Sequence, residues 1–233
     1  MKKLIRVLFN RAYFPFYISQ FFGTFNDNFF RTALAAFIMF GAISLNADTR
    51  AVAASILVAL FMLPFFLFSA VAGQLADKYG KDTIIKLIKV AQVLAAILAI
   101  IGFLLNNVWL LLVILFLMGA ISAVFSPVKF SILPEILEHD DLIAGNSLIQ
   151  AGTYISMLLG IVCAGMIYAV DKYWMFLILL SVAVIGLFAA IFIPVVKPAG
   201  QKIDISKNFI KTTWEILSYF KYSRDIYLCI LGI

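Results

Sequence analysis

Near its start the sequence reads Phe25-Asn26-Asp27-Asn28-Phe29-Phe30-Arg31, with apolar residues on both sides. A carboxylate, a guanidinium and two amides inside an apolar span are expensive at bilayer depth. Such groups therefore face a bundle interior or a substrate path rather than lipid. Asp27 is suited to pairing an ammonium, and a cation nearby to pairing a phosphate. Arg31 lies one helical turn beyond Asp27 on the same face, so the spacing also fits a pair that simply neutralises itself. Counted from the start of the apolar run, Asp27 lies about 20 Å along a helix, near mid-membrane.

Other polar residues punctuate later apolar runs. Lys129 closes the fourth run. It reads as a lysine snorkelling to the interface, or as a phosphate contact or a latch to Glu135 or Glu138. Pro127 removes a backbone donor and offers a kink point. Asn146 and Gln150 stand one turn apart near the start of the fifth run and are candidates for a cavity wall. The candidate substrate-binding set is thus Asn26, Asp27, Asn28, Arg31, Lys129, Asn146 and Gln150.

Little else in the chain suggests chemistry. His139 is the only histidine, which excludes a His-based metal centre within this chain, and with Asp140 and Asp141 it reads as a solvated loop. Cys163 and Cys229 lie inside apolar runs and read as packing residues rather than a disulfide or metal ligands. No nucleophile–base–acid set appears, so the expectation is a protein that is not an enzyme, with no catalytic residue, metal or cofactor.

The elements that must position these residues follow from composition. The 233 residues are 64% hydrophobic and 13% charged, with a mean hydropathy of +1.08. That excludes an ordinary soluble domain and points to an all-α membrane protein, because the apolar runs have helix length rather than the ten-residue alternation of barrel strands. Six runs stand out, at 14–44, 51–72, 84–105, 108–130, 142–169 and 173–196. A seventh begins at Ile226 and reaches Ile233, too short to cross a bilayer. The N-terminal basic residues are followed by a long run without a cleavage site, which reads as an uncleaved first span.

Charge assigns the sides. Lys2, Lys3, Arg6 and Arg11 precede the first run. Lys78, Lys81, Lys86 and Lys89 cluster at the connection from second to third, and Lys197 to Arg224 follow the sixth. With alternating spans all of these share one side with Lys129, and only Arg50 and Lys172 fall on the other. The positive-inside rule places the N-terminus in the cytoplasm. The net charge of +6 therefore does not argue for nucleic acid. Between 197 and 225, Phe209, Ile210, Thr213, Trp214, Leu217 and Phe220 recur at helical spacing, as in an amphipathic helix on the membrane face. The expected organisation is a six-helix bundle (1–196), a cytoplasmic amphipathic linker (197–225) and the start of a seventh span (226–233), the layout of one half of a two-half transporter.

Residues 73–82 read as the loop between the second and third runs, Gly-Gln-Leu-Ala-Asp-Lys-Tyr-Gly-Lys-Asp. This resembles the cytoplasmic signature of the major facilitator superfamily, Gly-x-Leu-Ala-Asp-Arg-x-Gly-Arg-Lys. Gly73, Leu75, Asp77 and Gly80 match, Lys78 and Lys81 replace arginines, and Asp82 departs from a basic position. A glycine at 73 suits close helix approach, one at 80 suits a positive φ, and Asp77 suits a helix N-terminus. Gly73, Asp77, Lys78, Gly80, Lys81 and Pro127 are therefore expected to be structural or gating residues.

A narrower resemblance rests on Gly23-Thr24-Phe25-Asn26-Asp27-Asn28-Phe29, on Gly119-Ala120 with Phe125-Ser126-Pro127-Val128-Lys129-Phe130-Ser131-Ile132-Leu133-Pro134-Glu135, and on Leu142-Ile143-Ala144-Gly145-Asn146-Ser147-Leu148. Together these are similar to the lysophospholipid transporter family of bacterial inner membranes, and to the transporter domain that some bacteria fuse to an acyltransferase and an acyl-carrier-protein synthetase. The resemblance implies inward flipping of lysophospholipid, chiefly lysophosphatidylethanolamine, among membrane lipids by alternating access. It also implies a C-terminal transporter half supplying a basic partner for Asp27, and an acyltransferase as a further partner. Two other readings stay open. One is a proton-coupled exporter of small amphiphilic drugs with Asp27 as the protonation site. The other is the membrane module of a fused acyltransferase. Finally, Gly152, Ser156, Gly160 and Ala164 form a small-residue stripe suited to close packing.

Overall fold

The computed structural model describes residues 2–40, 47–168 and 171–196. The amphipathic linker and seventh-span readings at 197–233 lie outside the described residues. All regular structure among the described residues is helical: α1 (Lys2–Leu8), α2 (Tyr13–Phe40), α3 (Ala47–Lys78), α4 (Lys81–Leu104), α5 (Val108–Ser131), the short α6 (Leu133–Ile136), α7 (Leu142–Tyr168) and α8 (Lys172–Ile191).

Local chemistry sets several of the helix ends. Asn10 Oδ1 accepts from the Ala12 and Tyr13 amides and starts α2. Asn107 and Asp171 cap α5 and α8 by accepting from Leu110 N and Tyr173 N. The turn before α5 carries Asn106 at φ 50°, a left-handed conformation that asparagine tolerates. Among the described residues, four segments are long and apolar enough to cross a bilayer on composition alone: Lys81–Leu104, Val108–Ser131, His139–Ile167 and Tyr173–Ile191. Their outer faces display large apolar side chains to the surroundings, among them Leu87, Trp109, Leu177 and Phe188.

The long helices pack in a pattern that maps onto itself. α2 packs on α7 and α8, α5 packs on α3 and α4, and α4 meets α8. Exchanging α2 with α5, α3 with α7 and α4 with α8 leaves these pairings unchanged, which is the signature of a three-plus-three repeat. Close approach is built from glycine. A side chain at Gly160 would meet the Phe25 carbonyl at 2.7 Å, and one at Gly152 would meet the Tyr17 ring. With fully buried Ser156 and nearly buried Ala164, the α7 stripe thus seats α2. Gly119 on α5 approaches the α3 backbone at Phe61 in the corresponding way.

The core falls into two apolar clusters. One gathers Phe25 to Ile38 of α2 with Ala95 to Phe103 of α4, Leu111 to Met118 of α5 and Met175 to Ala183 of α8. The other gathers Tyr13 and Phe16 with Ile84 to Ile88, Val128 to Leu137 and Ala190 to Ile193. Between them, at the middle of the long helices, the buried residues are polar: Ser19, Gln20, Asn26, Asp27, Asn28, Lys89, Gln92 and Ser156.

Several expectations about the signature segment are corrected. It is not a loop: α3 continues through Lys78, which leaves only Tyr79 and Gly80 before α4. Gly80 has φ −57°, not a positive value. Its constraint is steric, since a Cβ there would stand 3.1 Å from both Asp82 Oδ1 and Val196 O. A Cβ at Gly73 would meet nothing within 4 Å among the described residues, so no close helix approach depends on it here. Asp82, the departure from the signature, accepts from the Val196 amide at 3.2 Å and from Lys86 at 3.0 Å. It ties the exit of α8 to the start of α4.

Candidate functional site

A cavity of about 280 Å³ opens within the polar layer, walled by five helices. α2 presents Gly23, Thr24, Asp27, Asn28 and Arg31 at turn spacing. α4 contributes Lys89 and Gln92, and α5 contributes Ser122, Phe125, Ser126 and Lys129. Phe61, Met62 and Phe65 of α3 and Thr153 and Met157 of α7 complete the wall.

Asp27 stands at the middle of α2 and is 9% exposed. Ser122 Oγ donates to its Oδ2 at 2.5 Å, and Gln92 Nε2 donates to its Oδ1 at 3.4 Å. Gln92 in turn accepts from Lys89 Nζ at 2.8 Å, so one amide links the carboxylate to a buried ammonium. Lys89 is only 1% exposed. Its ammonium lies 4.9 Å from the centre of the Phe125 ring, in a slot that exists because residue 23 is glycine. Burying a charge this deeply is tolerated only where other groups answer it.

Arg31 does not neutralise Asp27 directly. It donates to Asn28 Oδ1 at 2.7 Å and lies over Phe61 at 5.3 Å, while Asn28 Nδ2 donates to the Thr24 carbonyl at 2.8 Å. Among the described residues Asp27 forms no direct ion pair. Lys129 reaches the cavity wall with its ammonium over Phe130 at 4.9 Å. Three cations and one carboxylate therefore face one small space. Groups of this kind can pair an anionic or zwitterionic group, and aromatic and methionine side chains line the α3 side.

The structure thus brings together Asp27, Asn28, Arg31 and Lys129 from the sequence-derived set, and leaves three others out. Asn26 is rotated about 100° from Asp27 around the helix. It is 1% exposed, lines no part of the cavity, and neither of its amide atoms has a partner among the described residues. Asn146 and Gln150 are exposed. They continue the Thr153–Met157 stripe toward the start of α7, past the end of the cavity, so the error is axial rather than angular. The expected latch from Lys129 to Glu135 or Glu138 is also corrected: Glu135 pairs with Lys81 of the signature segment. Pro127 lies inside α5, which continues through it to Ser131. Lys78 stands over the Tyr79 ring at 5.9 Å, and Asp77 falls in the last turns of α3.

Lys89, Gln92 and Ser122 were not singled out by the sequence. Lys89 is grouped there with the basic flank of the third run, yet it sits eight residues inside α4, more than two turns from Lys81. That depth, with a glutamine three residues on, is the signal that separates it from a flank charge.

Comparison with known proteins adds the following. The family model described as Major Facilitator Superfamily matches residues 16–233. The lysophospholipid transporter LplT of Photorhabdus laumondii is 29% identical over 163 residues, which cover 70% of this chain and 38% of that protein. The protein of the same name from Cronobacter sakazakii is 26% identical over 160 residues, covering 69% and 37%. That of an Escherichia coli strain is 27% identical over 212 residues, covering 86% and 47%. The chain spans less than half the length of these curated relatives.

Proposed function

Since this chain belongs to the major facilitator superfamily, and is therefore part of a multi-pass membrane transporter, we propose that its cavity takes the headgroup of a lysophospholipid during transport across a bacterial inner membrane. In this reading α2, α3, α4, α5, α7 and α8 are six spans forming the N-terminal half of the transporter, with the N-terminus cytoplasmic. A second half closes the cavity from the open side, and rocking of the halves exposes it alternately to the two faces. Gly73, Asp77, Lys78, Gly80 and Lys81 act in that movement rather than in binding.

The observation that carries the proposal is the mixed charge of the cavity. Lysophosphatidylethanolamine brings an ammonium and a phosphate at fixed separation. Asp27 answers the first, and the cations on α2, α4 and α5 answer the second. The names of the relatives point to the same substrate class. An acyltransferase acting on the delivered lipid is the partner this reading implies.

The test is uptake of headgroup-labelled lysophosphatidylethanolamine into liposomes carrying the full-length protein, wild type beside Asp27→Asn. Uptake that the variant loses supports the proposal. Absence of uptake by the wild type rejects it. In that case the buried carboxylate would favour a proton-coupled exporter of small amphiphilic drugs, identified by efflux that collapses with the proton gradient.

A further inference from the structure

Lys89 has more binding capacity than the described residues use. A lysine ammonium has three donors. Among the described residues Lys89 makes one hydrogen bond, to Gln92, and one ring contact, to Phe125. Its one electrostatic counterpart there is Asp27, reached through Gln92 and shared with Arg31. An apolar side chain of similar length would fill the slot beside Gly23 without the desolvation that a buried charge entails. Two more cations, Arg31 and Lys129, face the same cavity, and the lone carboxylate already accepts from Ser122 and Gln92. Among the described residues the three cations of the cavity wall thus share one carboxylate, which leaves positive charge in surplus.

We propose that Lys89 is a phosphate ligand of this cavity: its ammonium, held by Gln92 against Gly23 and Phe125, meets the phosphate of the transported lipid. The inference rests on the lysophospholipid reading and deepens it. Gln92 gives the contact a second effect. It holds Lys89 with its carbonyl and Asp27 with its amide nitrogen, so a phosphate that draws Lys89 into the cavity pulls on the group that orients Asp27. The phosphate is then felt at the carboxylate whether or not the headgroup carries an ammonium.

The experiment is equilibrium binding of radiolabelled palmitoyl-lysophosphatidylethanolamine to the purified full-length protein, wild type beside Lys89→Met and Lys89→Arg. Competitors are monopalmitoylglycerol, which lacks the phosphate, and inorganic phosphate, which lacks the lipid; melting temperatures are recorded for each variant. The expected result is that Lys89→Met weakens lysolipid binding by at least about tenfold, the scale of a charge-assisted hydrogen bond. Lys89→Arg should restore most of it, and monopalmitoylglycerol should compete poorly. The melting temperatures show that the variants compared are folded at the binding temperature, and recovery by Lys89→Arg but not by Lys89→Gln separates a phosphate contact from a merely structural lysine.

Unchanged lysolipid affinity in Lys89→Met overturns the inference while leaving the transporter reading intact. Equal competition by monopalmitoylglycerol overturns it as well. If the wild type binds no lysolipid, the lysophospholipid reading fails. Stabilisation of the wild type by inorganic phosphate, lost in Lys89→Met, then still supports a phosphate site fed by free phosphate, and no stabilisation overturns it. Should Lys89→Met not fold, Lys89→Gln removes the charge while keeping a donor and gives the same comparison.

Discussion

The Lys89 ammonium occupies the space that a side chain at Gly23 would need. The two residues lie on different helices, α4 and α2, and neither position makes sense alone. Gly23→Ala is therefore expected to displace Lys89 and to destabilise the bundle by about 1–3 kcal/mol, the usual scale of overpacking. Combined with Lys89→Met, whose chain can bend aside, the penalty should shrink. A double-mutant cycle of melting temperatures measures this, and strict additivity would mean that the slot is not shared.

Ser122→Ala removes the hydroxyl that donates to Asp27. A hydrogen bond to a charged group contributes on the order of 1.5–3 kcal/mol, so lysolipid uptake should fall by about tenfold or more. Ser122→Thr keeps the hydroxyl and should retain most of the uptake. Initial uptake rates in liposomes decide this, and equal rates for wild type and Ser122→Ala would remove Ser122 from the site.

Gly160 and Gly165 lie on one helix but should respond in opposite ways. A Cβ at Gly160 meets the backbone of α2, whereas one at Gly165 meets nothing within 4 Å among the described residues. Gly160→Ala is expected to lower stability by about 1–3 kcal/mol, and Gly165→Ala to raise it by about 0.4–1 kcal/mol, because alanine restricts the unfolded chain and meets no obstacle in the helix. Thermal melting in detergent compares the two.

Lys81 and Glu135 join the start of α4 to the short α6. Removing either charge should loosen the same contact. Lys81→Glu with Glu135→Lys should recover part of what each single reversal loses. The expected coupling is about 0.5–1 kcal/mol, because the pair is only partly covered and solvent still screens it. A cycle of melting temperatures at low and high salt measures it, and the coupling should shrink as salt screens the charges.

Orientation is accessible to labelling. With the N-terminus in the cytoplasm, the turn at Leu105 faces outward and the segment at Glu138 faces inward. A membrane-impermeant maleimide added to intact cells should modify Leu105→Cys and spare Glu138→Cys; the reverse pattern would invert the topology. Both positions are exposed, so burial does not confuse the result.

Much of the helical scaffold was legible because lipid-facing helices read as long apolar runs and end where polar residues gather. Asn106 and Asn107 stop one run and start the next, and the expected boundaries at 105 and 108 fall beside the observed ends of α4 and α5. The signature segment was misread as a loop because charge was taken to end a helix, whereas α3 carries Lys78 on its last turn. The site was half legible. Asp27 and Arg31 stand out as charges in an apolar run. Ser122 does not, since a single hydroxyl barely alters hydropathy. Lys89 was hidden by its neighbours, because Lys78, Lys81 and Lys86 supply a flank into which a fourth lysine disappears.

The interlocked pairing of the two triples bears on how the chain is made. α2, α3 and α4 leave the ribosome first, yet they pack little on one another and mainly on α5, α7 and α8. When the first triple enters the bilayer, Asp27, Arg31 and Lys89 are already at depth, while Ser122 and Phe125 are still to be synthesised. Contacts between segments distant in sequence form slowly, and unanswered charges in hydrocarbon favour retreat. The early helices must therefore wait in a sheltered setting, an insertion machine or a water-lined defect, until the second triple arrives to cover them. A ribosome pause placed after α4 would lengthen the most vulnerable moment in the life of this protein.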